Sequence, residues 1–177
     1  YLGGLIELAR SLDHNAARVA LLHRRASGFG RLAALGVRAV ASDAMFVTDV
    51  VTYSSLGSDL SGVMASLERQ SPDLVISAGS FDDEVVLARA LLESGLRPKA
   101  VGLTAAAMQE FSHALGTHAE GFLGPSQWEP RLAYVPDFGP GPDEAAEVIR
   151  AQGAPPDYPA AQAYAAWLSA QTGQRYR

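Results

Sequence analysis

The chain has 177 residues, 48% of them hydrophobic and 19% charged, with a formal net charge of −5 and no cysteine. That balance suits one ordinary domain, or slightly more, with a well-packed core, and it excludes a disordered chain. The absence of cysteine excludes disulfide scaffolds, thiolate zinc sites and cysteine nucleophiles without deciding the compartment. Lys99 is the only lysine and no Lys/Arg run occurs, which argues against nucleic acid as a partner. No apolar stretch is long enough to span a membrane. The chain opens at Tyr1 without a Met and with no visible leader, so it reads as a piece excised from a longer protein.

Apolar residues at helical spacing predict a helix over residues 5–12. The run Val19-Ala20-Leu21-Leu22 places a buried strand over 18–23, and a helical pattern follows over 31–41. Residues 45–53, rich in Val, Thr and aromatics, predict the next strand. Ser58 or Asp59 is placed to cap a helix that runs to Gln70, where Ser71-Pro72 stops it. Residues 73–78 form a short buried strand. Ser80 then precedes a helix over 84–93, with Gly95 and Pro98 marking its end. A strand over 100–103, a helix over 106–115 and a short strand over 121–124 complete the alternation.

Strands alternating with helices of this length imply parallel pairing through right-handed crossovers. The expected fold is α/β: a doubly wound parallel sheet of about five strands with helices on both faces, plus a C-terminal helical extension. Such sheets bind ligands outside the carboxyl ends of their strands, which directs attention to the loops at 24–30, 54–58, 79–83, 104–105 and 125–130. The stretch Pro125 to Pro142 holds five prolines and no periodicity, so it is either functional or a link between domains. Helical patterns over 143–152 and 159–171 follow it.

Several constellations have the outline of a chemical or binding site. Gly28-x-Gly30-x-x-Ala33 after the first strand has the outline of a dinucleotide-binding turn. Four residues separate it from the strand, however, and Asp49, which has about the offset of a ribose-binding acid, falls mid-strand. The alternative is a ligand-facing loop with Phe29 at its tip, the glycines allowing a sharp turn into the helix. Asp82, Asp83 and Glu84 after Ser80 read as a solvated cap at the positive end of a helix dipole. Phe81 is left unexplained by that reading, as either a core edge or a ligand wall. His113 and His118 are five residues apart, which does not bring them onto one helix face, so no metal site is expected. No Gly-x-Ser-x-Gly elbow and no Walker loop occur, and nothing pairs a nucleophile with a base. Trp128, between Pro125 and Pro130, is a candidate hinge anchor or binding wall.

The ordered set of features resembles a known family. Its pieces are Val19-Ala20-Leu21-Leu22 with Gly28-Phe29-Gly30, then Gly57-Ser58-Asp59-Leu60-Ser61, then Ser71-Pro72-Asp73-Leu74-Val75 with Ala78-Gly79-Ser80-Phe81. Gly95-Leu96-Arg97-Pro98, Ala119-Glu120-Gly121-Phe122-Leu123-Gly124, Trp128-Glu129-Pro130 and Pro156-Asp157-Tyr158-Pro159 follow. Together they resemble the substrate-binding proteins of branched-chain amino acid ABC transporters, which have the type I periplasmic binding fold.

The resemblance implies a two-lobed protein with its ligand trapped between the lobes. Residues 1–124 would be the second lobe, 125–142 the Pro-rich crossover, and 143–177 helices that pack on a first lobe outside this chain. Phe29 and Phe81 would face the cleft, with Gly79 and Ser80 forming the turn beside Phe81 and Trp128 adding a wall. Branched-chain amino acid binders carry a Glu after the next strand to pair with the ligand's ammonium, and the corresponding residue here is Thr104. A neutral hydroxyl does not balance a buried ammonium as a carboxylate does, which points to a flat or aromatic acid without an α-amino group.

The function implied is solute binding for an ABC transporter: no catalysis, no cofactor, no metal, a small-molecule ligand, a membrane permease as partner and an extracytoplasmic location. A ligand-sensing domain of the same fold in a transcription regulator or receptor is the alternative, and a nucleotide-dependent enzyme a third reading. The apolar face with Ala163, Tyr164, Trp167 and Leu168 predicts a homodimer or a swapped arrangement through 143–173.

Overall fold

In the computed structural model, residues 2–126 and 139–173 are described. The chain divides after Pro125 into two compact units. The first unit holds α1 (Gly4–Leu12), β1 (Arg18–Arg24), α2 (Gly28–Asp43), β2 (Val47–Tyr53), α3 (Leu56–Gln70) and β3 (Leu74–Ala78). It continues with α4 (Phe81–Glu93), β4 (Ala100–Leu103), α5 (Gln109–Leu115), a 3-10 turn at 116–119 and β5 (Phe122–Leu123). The second unit holds α6 (Pro142–Ala151) and α7 (Tyr158–Thr172).

The five strands form one parallel sheet in the order β2-β1-β3-β4-β5. This is the expected doubly wound α/β architecture. Strands β1 and β3 lie at its centre, and side-chain alternation sends their apolar residues to both faces. Val19, Leu21, Leu74 and Ile76 pack with Ile6 of α1 and with Val37 and Ala41 of α2. Ala20, Leu22 and Val75 pack with Leu56 and Leu67 of α3, Leu87 and Leu91 of α4, and Phe111 of α5. Gly102 lets α1 lie on the sheet, because a Cβ there would meet the Leu5 side chain.

Helix starts differ from expectation wherever a Ser outside the apolar pattern does the capping. Helix α2 begins at Gly28 and not at Arg31, because Ser27 Oγ accepts the Gly30 amide at 2.9 Å. Helix α3 is capped by Ser55 and not by Ser58 or Asp59. Ser58 instead donates to the Ser55 carbonyl, and Asp59 accepts the Ser54 amide at 2.7 Å. Ser80 does cap α4, which starts at Phe81 rather than Glu84. Helix α5 starts at Gln109, three residues later than Ala106, because residues 104–108 are spent on turns.

Strand β2 starts at Val47 because Met45 sits in the left-handed region, φ 58°, at the end of α2. There the Phe46 amide reaches back to the Ala41 carbonyl at 2.8 Å, a Schellman-type ending.

The amino edge of the sheet is held by Asp73. Its Oδ2 accepts the amides of Ala17 and Arg18 at 2.9 and 3.0 Å, and its Oδ1 meets Lys99 Nζ at 3.1 Å. Lys99 also reaches Asp13 beyond α1, at 2.6 Å. In the second unit, Asp157 caps α7 through the Ala160 amide, and Tyr164 stacks on Trp167 with centroids 5.9 Å apart.

Candidate ligand-binding site

Strand order reverses between β1 and β3. The chain leaves β1 into α2 on one face of the sheet and leaves β3 into α4 on the other. In a doubly wound sheet that divergence opens a crevice over the carboxyl ends of the two strands, where ligands bind. Phe29 is the second residue of α2 and Phe81 the first of α4, so both aromatics stand at its rim. Phe29 is 54% exposed. Phe81 is half-buried and packs against the core on the α3–α5 face.

Gly30 explains the Gly-x-Gly pattern. A Cβ there would lie 2.6 Å from the Ala78 carbonyl oxygen and 3.1 Å from His23 Cβ, so the start of α2 is pressed against the end of β3. Gly28 has open space around it. Both glycines lie in the first turn of α2 rather than in a loop.

The three acids of α4 do not form a solvated cap together. Asp82 is exposed, but Asp83 is 6% exposed and Glu84 is fully buried. The first turn of α4 lies beneath the loops that follow β2 and β4, and those loops supply donors. Asp83 Oδ1 accepts the Leu56 amide and Oδ2 the Ser80 hydroxyl, each at 2.8 Å. Glu84 Oε1 accepts the Gly79 amide and the Thr104 hydroxyl, each at 2.8 Å, while Oε2 accepts the Ala105 amide at 2.6 Å. Burial pushes the Glu84 carboxyl above its ordinary range, and the three donors pull the other way.

These two acids are the residues that sequence reasoning missed. The signal was present in Ser80-x-x-Asp83, the spacing of a reciprocal cap, but nothing in the sequence told a solvated first turn from an enclosed one. The acids join Gly79, Ser80 and Thr104 into one hydrogen-bonded cluster. Phe29 stands on the neighbouring turn, and Trp128 lies outside the described residues.

Tyr53, the last residue of β2, is fully buried beside this cluster. Its Oη would lie 2.5 Å from a Cβ at Gly79, with Ser77 Oγ 3.5 Å from the same point. Gly79 therefore permits a close approach that no other residue type allows. Neither hydroxyl makes a hydrogen bond of good geometry among the described residues. Burial first, and then the charge of Asp83, push the Tyr53 phenol above its usual range, while the Ser77 hydroxyl beside it acts to lower its pKa. Among the described residues no three His, Asp or Glu side chains converge for a metal ion.

A periplasmic binding protein family model matches residues 5–173. The chain belongs to the periplasmic binding protein family. It is a family of binding proteins and not of enzymes. Among solved structures, a leucine-, isoleucine-, valine-, threonine- and alanine-binding protein of Brucella ovis in a closed conformation is similar to this chain. It matches with a TM-score of 0.68 and 18% identity over 89% of this chain and 40% of its own. A putative branched-chain amino acid ABC transporter protein of Rhodospirillum rubrum gives a TM-score of 0.62 and 17% identity over 90% of this chain and 47% of its own. Rp1789 of Rhodopseudomonas palustris gives 0.56 and 16% over 68% and 34%. This chain thus spans less than half the length of each of these structures. No curated protein matches it.

In this periplasmic binding protein, Phe29 after β1 is exposed, Ser80 after β3 is half-buried, and Thr104 directly follows β4. The single hydroxyl proton of Thr104 is committed to Glu84, so its oxygen retains only acceptor capacity. The carboxylate is one hydroxyl behind the surface rather than on it. Among the described residues no helix is long and apolar enough to cross a membrane.

Proposed function

We propose that this chain is the second lobe of a two-lobed solute-binding protein serving an ABC transporter. Residues 1–124 would form the lobe, 125–142 the crossover, and 143–177 helices that belong with the other lobe. The observation that carries the reading is the family match across residues 5–173, supported by aromatics that flank the β1/β3 crevice. The ligand is a small molecule, amino acid-like or an aromatic or aliphatic carboxylate, stacked on Phe29 and Phe81 with Gly79, Ser80 and Thr104 supplying polar contacts and Trp128 a further wall. Ligand would stabilise closure of the two lobes, and the closed form would be read by a membrane permease outside the cytoplasm.

Thermal unfolding of the complete two-lobed protein against amino acids, aromatic and aliphatic carboxylates, amides and nucleotides tests this. A ligand that binds only the folded state raises the midpoint by mass action, by ~2.7 kcal/mol of stability at a hundredfold excess over Kd. A rise with an amino acid or a carboxylate is the expected outcome and fixes the ligand class. A rise with nucleotides alone returns the Gly28/Gly30 turn to a phosphate-binding role and overturns the proposal.

A further inference from the structure

We propose that Asp83 and Glu84 are positioning residues that hold the loops after β2, β3 and β4 as one preformed surface; this rests on the solute-binding reading of that edge. Their four carboxylate oxygens take five donors. Leu56 N opens α3 after β2, Gly79 N and the Ser80 hydroxyl follow β3, and the Thr104 hydroxyl and Ala105 N follow β4. Each of these loops leads from the carboxyl end of a strand, where this fold places ligand contacts.

Two features separate this arrangement from ordinary helix capping. A cap satisfies amides of its own helix, whereas Leu56, Thr104 and Ala105 are respectively 27, 20 and 21 residues from their acceptors. An exposed acid would serve a helix dipole as well as a buried one, yet Asp83 and Glu84 are enclosed and only Asp82 faces solvent. Burial of a carboxylate is unfavourable unless donors compensate it, and here every donor comes from the ligand edge. Sharing of Oε1 between Gly79 N and the Thr104 hydroxyl makes the β3 and β4 loops report on each other.

Amide hydrogen exchange and amide chemical shifts of the 177-residue chain test the proposal without any ligand. In Glu84→Gln the side-chain amide presents donors where Ala105 N–H requires an acceptor. Hydrogen bonds to charged groups carry roughly a tenfold or larger effect on local opening, so Gly79 and Ala105 should lose about tenfold or more of their exchange protection. Leu21 and Ile76, mid-strand, should keep most of theirs.

Asp83→Asn should do the same at Leu56. Thr104→Val, which removes a single hydroxyl and is the milder change, should shift the Gly79 amide across the shared oxygen, and Thr104→Ser should restore it. A uniform fall in protection over loops and strands means the acids only hold the fold together and overturns the proposal. So does an unmoved Gly79 in Thr104→Val, which remains readable if Glu84→Gln fails to fold. A failed ligand panel together with the expected exchange pattern would overturn the solute-binding reading and leave the clasp intact.

Discussion

Gly30→Ala and Gly28→Ala are the same substitution two residues apart in the first turn of α2, and they should act in opposite directions. At Gly30 the new methyl falls 2.6 Å from the Ala78 carbonyl oxygen, a main-chain atom in a central strand that cannot rotate aside, and 3.1 Å from His23 Cβ. Overpacking of this kind costs ~1–3 kcal/mol. Replacing Gly by Ala within a helix recovers up to ~1 kcal/mol, leaving a net loss of up to ~2 kcal/mol, at the upper end because the clash is with a main-chain atom. At Gly28 nothing lies within 4 Å, so only the favourable part remains, ~0.5–1 kcal/mol of added stability. Urea unfolding followed by far-ultraviolet circular dichroism, at unchanged m, reads both. In heat the two variants should separate by several degrees, at ~2–4 °C per kcal/mol for a chain of this size. Saturating NAD or FMN should leave every midpoint where it was. If Gly30→Ala were as stable as Gly28→Ala, the close approach of α2 to β3 would be wrong, and with it the packing account of the glycine pair.

Met45→Gly should stabilise the protein by ~0.5–1 kcal/mol in the same assay, since it relieves a left-handed backbone that favours glycine; a loss of stability would contradict the α2 ending described here. At the amino edge, burial tends to raise the Asp73 carboxyl, but the Ala17 amide, Lys99 and the Arg18 amide outweigh it, so its pKa lies below the ordinary 3.8. The side-chain contact with Lys99 and the Asn15 amide hold Asp13 below 3.8 as well. Depressed carboxyl pKa values give stability that is complete above about pH 4 and is lost as pH falls through the lowered values. Lys99→Met should therefore shift the acid-unfolding midpoint upward, and an unchanged midpoint would sink the account. For the expected dimer, sedimentation velocity over a wide concentration range should detect self-association that Trp167→Gln weakens; Trp167 is 54% exposed. A monomer throughout would remove that expectation.

The sheet was legible because its signal is simple. Val19 to Leu22 and Leu74 to Ala78 are near-continuous apolar runs, as strands buried on both faces must be, and all five strands lie where such runs or alternations occur. The starts of α1, α6 and α7 were legible to within one residue from the apolar pattern, and the Ser80 cap of α4 was legible although the helix begins three residues before the apolar pattern does. The caps at Ser27 and Ser55 carry no such signal, because Gly and Ser in the following turn blur the apolar period. That Phe29 and Phe81 follow the carboxyl ends of β1 and β3 was legible from strand position; that they face a ligand rested on the family resemblance alone. The burial of Asp83 and Glu84 was not legible, because it depends on loops more than twenty residues away in sequence folding over α4, which no local pattern encodes. Likewise, the sequence shows Thr104 as a neutral hydroxyl but not the buried Glu84 carboxylate to which it donates.

The two edges of the sheet should respond to pH with opposite sign. At the carboxyl edge, burial raises the Glu84 carboxyl above the ordinary 4.5 despite the amides of Gly79 and Ala105 and the Thr104 hydroxyl. A folded carboxyl that is harder to ionise than the unfolded one takes up more protons in the native state. Its contribution is therefore whole below the ordinary value and diminishes as pH rises through the raised one. Gln at this position cannot ionise, so Glu84→Gln should gain stability relative to the natural protein on going from about pH 4 to about pH 7. Over that same interval Gly79 and Ala105 should be less protected in the variant, because the ionised carboxylate is the only form with an acceptor for all three donors. Global stability and local order would then move apart in a single substitution, which is what separates a group kept for positioning from one kept for the fold. A stability difference that stays constant across that interval would mean that Glu84 does not titrate differently in the folded chain, and the enclosed carboxylate would have to be abandoned.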